Sequence, residues 1–255
     1  METYYDKQYS LLKILLIWFL ATAPMFVMAY WLAPAVGRYL DVPDDVPAFL
    51  VFWPFMILGL VWQFILSLII VYREYGNIRW TTIRKRMWYN LPKEPTSGRY
   101  NKKLFLWAIP FIVISIGSMF IVIPDVLSIL VPASDNLPQY NLNQFMSPEY
   151  KGAWWLFGLV LLTIPFNYFL GEEFLFRGIL LPKMRGVFGK SDWFFNGVIF
   201  AFYHLHKPHG ILHQVIFAGF ILAFPARRFR SNWMAVIIHG IEGLIAIIIV
   251  LSIIL

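Results

Sequence analysis

The sequence predicts an all-α fold, a polytopic transmembrane helix bundle of about seven spans (six to eight). Three observations predict it. Of the 255 residues, 60% are hydrophobic and only 14% charged, and the mean hydropathy is +0.66, which no soluble domain of this size shows. Several apolar stretches reach the roughly 20 residues that a helix needs to cross a bilayer, and they run continuously instead of alternating, which disfavours membrane strands. The basic residues lie between these runs, where they set topology. They do not form one soluble face, so the net charge of +7 does not point to nucleic acid.

The candidate spans cover residues 11–33, 49–71, 104–126, 153–181, 192–206, 210–225 and 233–255. In the first, Ala21-Thr22-Ala23 faintly resembles a signal-peptidase site, but Pro24 would follow the cut and the apolar run continues, so a retained span is expected. The fourth span is long; the fifth and sixth are short. Loop 72–103 carries Arg73, Arg79, Arg84, Lys85, Arg86, Lys93, Arg99, Lys102 and Lys103, and the positive-inside rule places it in the cytoplasm. Segments 182–191 (Lys183, Arg185, Lys190) and 226–231 (Arg227, Arg228, Arg230) follow it there. Loop 37–48, with Asp41, Asp44 and Asp45 against Arg38, belongs on the other side. The alternation closes with the N-terminus in the cytoplasm and the C-terminus outside, in a bacterial or archaeal cell membrane. Within the basic loop, "IRWTTIRKRMWY" sets Ile78, Ile83 and Met87 among Arg and Trp. It reads either as a segment lying on an anionic leaflet or as a purely topogenic loop. Residues 1–149 are expected to form an N-terminal helical part with this loop, and 150–255 a catalytic-type core.

Ionisable groups inside spans cost roughly 3 kcal/mol each on insertion scales and mark functional sites. Glu172, Glu173, Arg177, His204, His239 and Glu242 stand out. Glu173 and Arg177, at i and i+4, share a helix face and form a structural pair. Glu172 is rotated about 100° away on a regular helix and is the carboxylate left over. A carboxylate in a low-dielectric site can serve as a general acid or base near neutral pH. At about 1.5 Å per residue, Glu172, His204 and His239 lie about 13, 18 and 9 Å from the cytoplasmic ends of their spans, so they can converge on one cavity. Phe200 precedes His204 by one turn and can wall the imidazole; Gly240 and Gly243 allow close helix approach. There is no cysteine, which excludes disulfides, thiol nucleophiles and thiolate metal sites. His206, His209 and His213 flank a turn at Pro208 and Gly210; an ordinary turn is favoured there over a zinc site. The abundant Trp and Tyr read as an interfacial aromatic belt.

Taken together, "EEFLFR" (172–177), "FAFYH" (200–204) and "HGIEG" (239–243) resemble the EExxxR, FxxxH and late intramembrane His motifs of the CPBP family, which comprises CAAX prenyl proteases, Abi proteins and bacteriocin-processing proteins. The resemblance spans roughly residues 150–245. It implies a glutamic intramembrane endopeptidase with Glu172 as the base that activates water, helped by His204, and His239 as oxyanion stabiliser. Glu173 and Arg177 would be the supporting pair, with Phe200 packed beside the site. No cofactor and no metal are implied. The partners implied are a peptide or membrane-anchored protein substrate and the lipid bilayer, without nucleic acid. One departure matters. The family's last motif ends in Asn or Asp four residues after the His, and here that position is Gly243, with Glu242 one place off. An Asn amide would add an oxyanion donor, whose loss typically costs ~100- to 1000-fold in rate. Asn196, two turns before His204, is a candidate substitute that is not adopted as a site residue. The competing readings are a zinc protease using Glu172, His204 and His239, a catalytically impaired scaffold or immunity protein, and, more distantly, a transporter.

Overall fold

The computed structural model describes residues 7–43, 46–121, 129, 148–206 and 211–255. Among these, helices form all the regular structure except one isolated bridge between Lys93 and Tyr100. Helix α1 (Leu11–Tyr39) starts behind Ser10, whose hydroxyl accepts from the amide of Lys13, and passes through a π turn at Met28–Leu32. Helix α2 (Ala48–Tyr75) stops at Gly76, which takes the left-handed conformation common at helix C-termini. Helix α3 (Trp80–Arg86) lies in the basic loop, and α4 (Ala108–Ser118) follows 3-10 turns at Lys102–Trp107. Helix α5 (Trp154–Lys183) is the long fourth span. Helix α6 (Asp192–Tyr203) runs into a 3-10 turn at His204–His206. Helix α7 (residues 211–229) is α-helical at Ile211–Ile216, π-helical at Phe217–Ala223 and α-helical again to Phe229. Helix α8 (Asn232–Ile254) closes the described chain.

Four helices, α1, α2, α5 and α8, are long and apolar enough to cross a membrane. The other three expected spans are less complete. Helix α6, with 12 residues, is only about 18 Å long at about 1.5 Å per residue, against a hydrocarbon core of roughly 30 Å. It pairs with α7 as an antiparallel hairpin, closed at one end by the ion pair of Asp192 and Arg227 at 2.6 Å. At their crossing a Cβ on Gly197 would strike the backbone of Gly219. The expected third span is described only as far as residue 121.

The basic segments gather at one end of the bundle. There the amide of Lys93 donates to Phe229 O, and that of Tyr9 to Lys183 O. A cavity of about 650 Å³ is lined by Lys93, Lys190, Arg227, Arg228 and Arg230. The C-terminus lies at the opposite end, where the amide of Gly152 donates to Ile254 O. Of the acidic loop, Asp44 and Asp45 lie outside the described residues.

The basic loop is more than a topology signal. Ile83 and Met87 are buried against the bundle and are not offered to a leaflet; Ile78 and Trp80 remain exposed. Arg86 is buried as well. Its Nε pairs with Glu74 at 2.7 Å, its Nη2 donates to the Tyr9 hydroxyl at 2.8 Å, and its Nη groups donate to the carbonyls of Gly178 and Ile179 at 3.1 Å. Tyr9 in turn donates to Glu74. Burial pushes the Tyr9 phenol above its usual range, against the opposing pull of Arg86, which keeps it a donor. The loop beyond α3 then caps α8: Trp88 O accepts from the amide of Asn232, and Asn90 O from the Ser231 hydroxyl. Several aromatic residues also differ from a simple belt. Trp18, Trp53 and Trp62 donate from their indoles to Ile199 O, Thr163 Oγ1 and Leu20 O, at 2.8 Å each, and Tyr30 donates to Leu205 O. Such polar links hold helices together where lipid removes the hydrophobic drive.

Removing Arg86 takes the buried partner of the Glu74 carboxylate, which among the described residues keeps only Tyr9 and the half-exposed Lys13 at 3.6 Å, and leaves two carbonyls without their donor. Arg86→Ala is expected to cost about 3–5 kcal/mol, read as a lower unfolding temperature of detergent-solubilised protein. Arg99→Ala, at an exposed position, should stay within about 0.5 kcal/mol.

Candidate active site

Helix α5 is not a regular α-helix where the carboxylates sit. It is π-helical at Phe166–Leu170 and again at Glu173–Leu180. Pro165 removes a backbone donor just before the first π turn, and the amide of Gly171 reaches back five residues to Phe166 O at 2.7 Å. A Cβ at Gly171 would strike the Phe166 carbonyl and lie 3.0 Å from Leu60 O, so glycine lets the backbone of α2 press on α5 beside Glu172. The 100° step expected from a regular helix is therefore corrected to the wider π geometry, which is rare and concentrated at functional sites.

The Glu173–Arg177 ion pair forms nonetheless, at 3.1 Å, with both side chains fully buried. Arg177 also donates from Nη2 to Ala218 O in the π segment of α7, at 3.1 Å, and its guanidinium lies 4.2 Å over the Phe200 ring. Glu173 has a further partner that sequence reasoning did not find: His239 Nδ1 lies 2.9 Å from the same Oε1 atom. An ionised carboxylate only accepts, so Nδ1 carries the proton of this bond and Nε2 is turned the other way, 3.6 Å from Glu242.

Glu172 faces a different imidazole. His204 Nε2 lies 3.8 Å from Glu172 Oε1, while His204 Nδ1 is held 3.0 Å from Phe200 O. The Phe200 ring sits 4.6 Å from the His204 ring, between Arg177 and His204. Glu172, Glu173, Arg177, Phe200 and His204 thus meet on α5, α6 and its 3-10 extension, and His239 and Glu242 arrive from α8. Exposure rises from zero at Glu173 and Arg177 to 28% at Glu242, so the cluster opens on the Glu242 side.

Other polar groups complete the surroundings. Asn196 is committed elsewhere: its amide donates to Phe176 O at 2.9 Å. Asn232 donates to Glu173 O at 3.1 Å and ties the start of α8 to α5. The Tyr203 phenol lies within electrostatic reach of Glu172 and of Gln63 of α2, which is fully buried, and neither the phenol nor the Gln63 amide has a hydrogen-bond partner of normal geometry among the described residues. Gln63 was findable, as a lone amide in an apolar run. Of the two glycines expected to let helices approach, Gly243 packs on Tyr168, whereas Gly240 has open space around it. His206 and His213 turn to separate partners, Tyr203 O and Ser118 Oγ, and His209 lies outside the described residues.

The fold and this cluster define a class: a multi-pass integral membrane protein with a buried Glu/Arg/His constellation within its helices. Residues 151–245 match the family model described as Type II CAAX prenyl endopeptidase Rce1-like. The match covers the site residues on α5, α6 and α8 and supports, at family level, a CAAX-type intramembrane protease. No curated protein and no solved structure matches the chain significantly.

Glu173→Gln would leave Arg177 buried without its counter-ion and His239 without its anionic partner. The expected loss is about 3–5 kcal/mol, checked as reduced membrane abundance and a lower unfolding temperature.

Proposed function

We propose that this chain is an intramembrane glutamic endopeptidase that hydrolyses a peptide bond in a peptide or membrane-anchored protein substrate. One observation carries the reading: Glu173 meets both Arg177 and His239 through Oε1, while Glu172 beside it faces His204 at 3.8 Å. One carboxylate is a brace, and its neighbour is set toward an imidazole in a low-dielectric site. Residues 150–255 carry the chemistry, and the N-terminal helices with their basic loop support it.

Glu172 takes a proton from water as the water oxygen bonds to the scissile carbonyl carbon, and the carbonyl π pair moves onto its oxygen. His204 orients the water against Glu172. His239, set between Glu173 and Glu242, has acceptors for both N–H groups of an imidazolium and directs Nε2 to the developing oxyanion. The carbonyl then re-forms, the C–N bond breaks, and the proton held by Glu172 passes to the departing amine. The basic loops and the N-terminus lie on the cytoplasmic side, so substrate is cut below that face.

Glu172→Gln is expected to accumulate normally in membranes and to lose about 100-fold or more of its cleavage rate, the scale of a general base. Full cleavage by that variant would remove Glu172 from the role of base, and absence of cleavage by the unaltered chain would leave a scaffold with a protease fold as the better reading. Topology has its own check, since the chain lacks cysteine. A single cysteine at Ser97 should react with an impermeant thiol reagent only from the cytoplasmic side, and one at Leu255 only from the other.

A further inference from the structure

We propose that the Tyr168 phenol is a second hydrogen-bond donor to the oxyanion, working beside His239; this rests on the hydrolase reading above. Tyr168 sits in the π turn of α5, four residues before Glu172. Its ring stands edge-on to His239, with centroids 4.8 Å apart and planes at 81°. It also occupies the space in front of Gly243. A Cβ there would meet Tyr168 Cε2 at 2.8 Å, Tyr168 Cδ2 at 2.9 Å and Ile164 Cγ1 at 3.3 Å. Position 243 lies one turn after His239 on the same helix face, where a polar side chain would reach the site. The tyrosine ring fills that volume instead. The Tyr168 phenol hydrogen-bonds with the Asn167 side chain and lies within electrostatic reach of Glu242 at the open rim and, more weakly, of Glu172.

The chemistry needs such a group. His239 spends one ring nitrogen on Glu173 and offers only the other to substrate. Tyrosine hydroxyls serve as oxyanion donors elsewhere. In the resting site the phenol hydrogen-bonds with the Asn167 side chain, and a substrate carbonyl carries little charge for its O–H to meet. As water attacks, Glu172 takes up a proton and charge develops on the substrate oxygen, so a Tyr168 O–H bond to that oxygen strengthens in the transition state. The phenol keeps its proton throughout, and no bond to it is made or broken.

The test uses the full chain in proteoliposomes with an internally quenched, farnesylated CAAX peptide as probe. Tyr168→Phe keeps the ring against His239 and Gly243 and removes only the hydroxyl. The expected result is a kcat lowered ~100- to 1000-fold with KM and unfolding temperature unchanged. A second comparison sets Tyr168→Ala beside the double variant Tyr168→Ala/Gly243→Asn, in which the vacated space admits an amide on α8. The double variant should recover about tenfold or more of the rate lost by Tyr168→Ala, on the scale of one restored donor. Full activity of Tyr168→Phe, or a folded double variant no faster than Tyr168→Ala, overturns the Tyr168 role. If Glu172→Gln is inactive in the same assay, the hydrolase reading survives that result. Full activity of both Tyr168→Phe and Glu172→Gln overturns the Tyr168 role and the Glu172 mechanism together, and absence of cleavage by the unaltered protein overturns the hydrolase reading and with it the Tyr168 role.

Discussion

A guanidinium with no solvent exposure inside a membrane-spanning helix must find its counter-charge and its acceptors within the protein. Arg177 finds its counter-charge in Glu173 on its own helix, one acceptor in Ala218 O on α7 and the face of Phe200 on α6, while its Nε has no hydrogen-bond partner among the described residues. Glu173 then reaches His239 on α8. One buried ion pair therefore links four helices, and the arrangement of the remaining ionisable groups follows from it. Because Glu173 is taken by both Arg177 and His239, the carboxylate with a separate setting is Glu172.

The widened geometry of α5 is met from outside in the same way. The carbonyls of Glu173, Phe176, Gly178 and Ile179 accept from Asn232, Asn196 and Arg86. A π segment would be strained in isolation, and donors from three other elements hold it here. The basic loop contributes the firmest of these contacts, since Arg86 is itself braced by Glu74 and Tyr9. The same loop caps α8 at Ser231 and Asn232. The two helices that carry Glu172 and His239 are thus positioned by one segment, far from both in sequence. Catalytic groups need such support, because misplacement on the order of 1 Å costs large factors in rate.

The cluster also grades from closed to open. Glu173 and Arg177 are sealed, Glu172, His204 and His239 are nearly so, and Glu242 is at the rim. Bracing groups lie deepest and the groups proposed to handle water and oxyanion lie toward the opening. Tyr168 and Gly243 fit this order as a complementary pair, a large ring on α5 against a bare backbone on α8. The departure from the resembled motif at position 243 is therefore a packing exchange and not a void.

The sequence by itself determined the membrane class, the helical fold and the short list of functional candidates, because each rests on a local property. Hydropathy and run length are read along the chain, the spacing of Glu173 and Arg177 is one helical turn, and a charge in an apolar run is conspicuous wherever the helix sits. Tertiary structure decided which carboxylate each imidazole meets, that α5 widens at the site, and that Arg86, Asn232, Gln63 and Tyr168 belong to its surroundings. These depend on helix rotation, tilt and side-chain packing between segments 40 to 180 residues apart, as in Arg177 with Ala218 or Trp18 with Ile199. Arg86 shows the limit most clearly. In the sequence it is one of nine basic residues in a loop, and only burial separates it from the other eight.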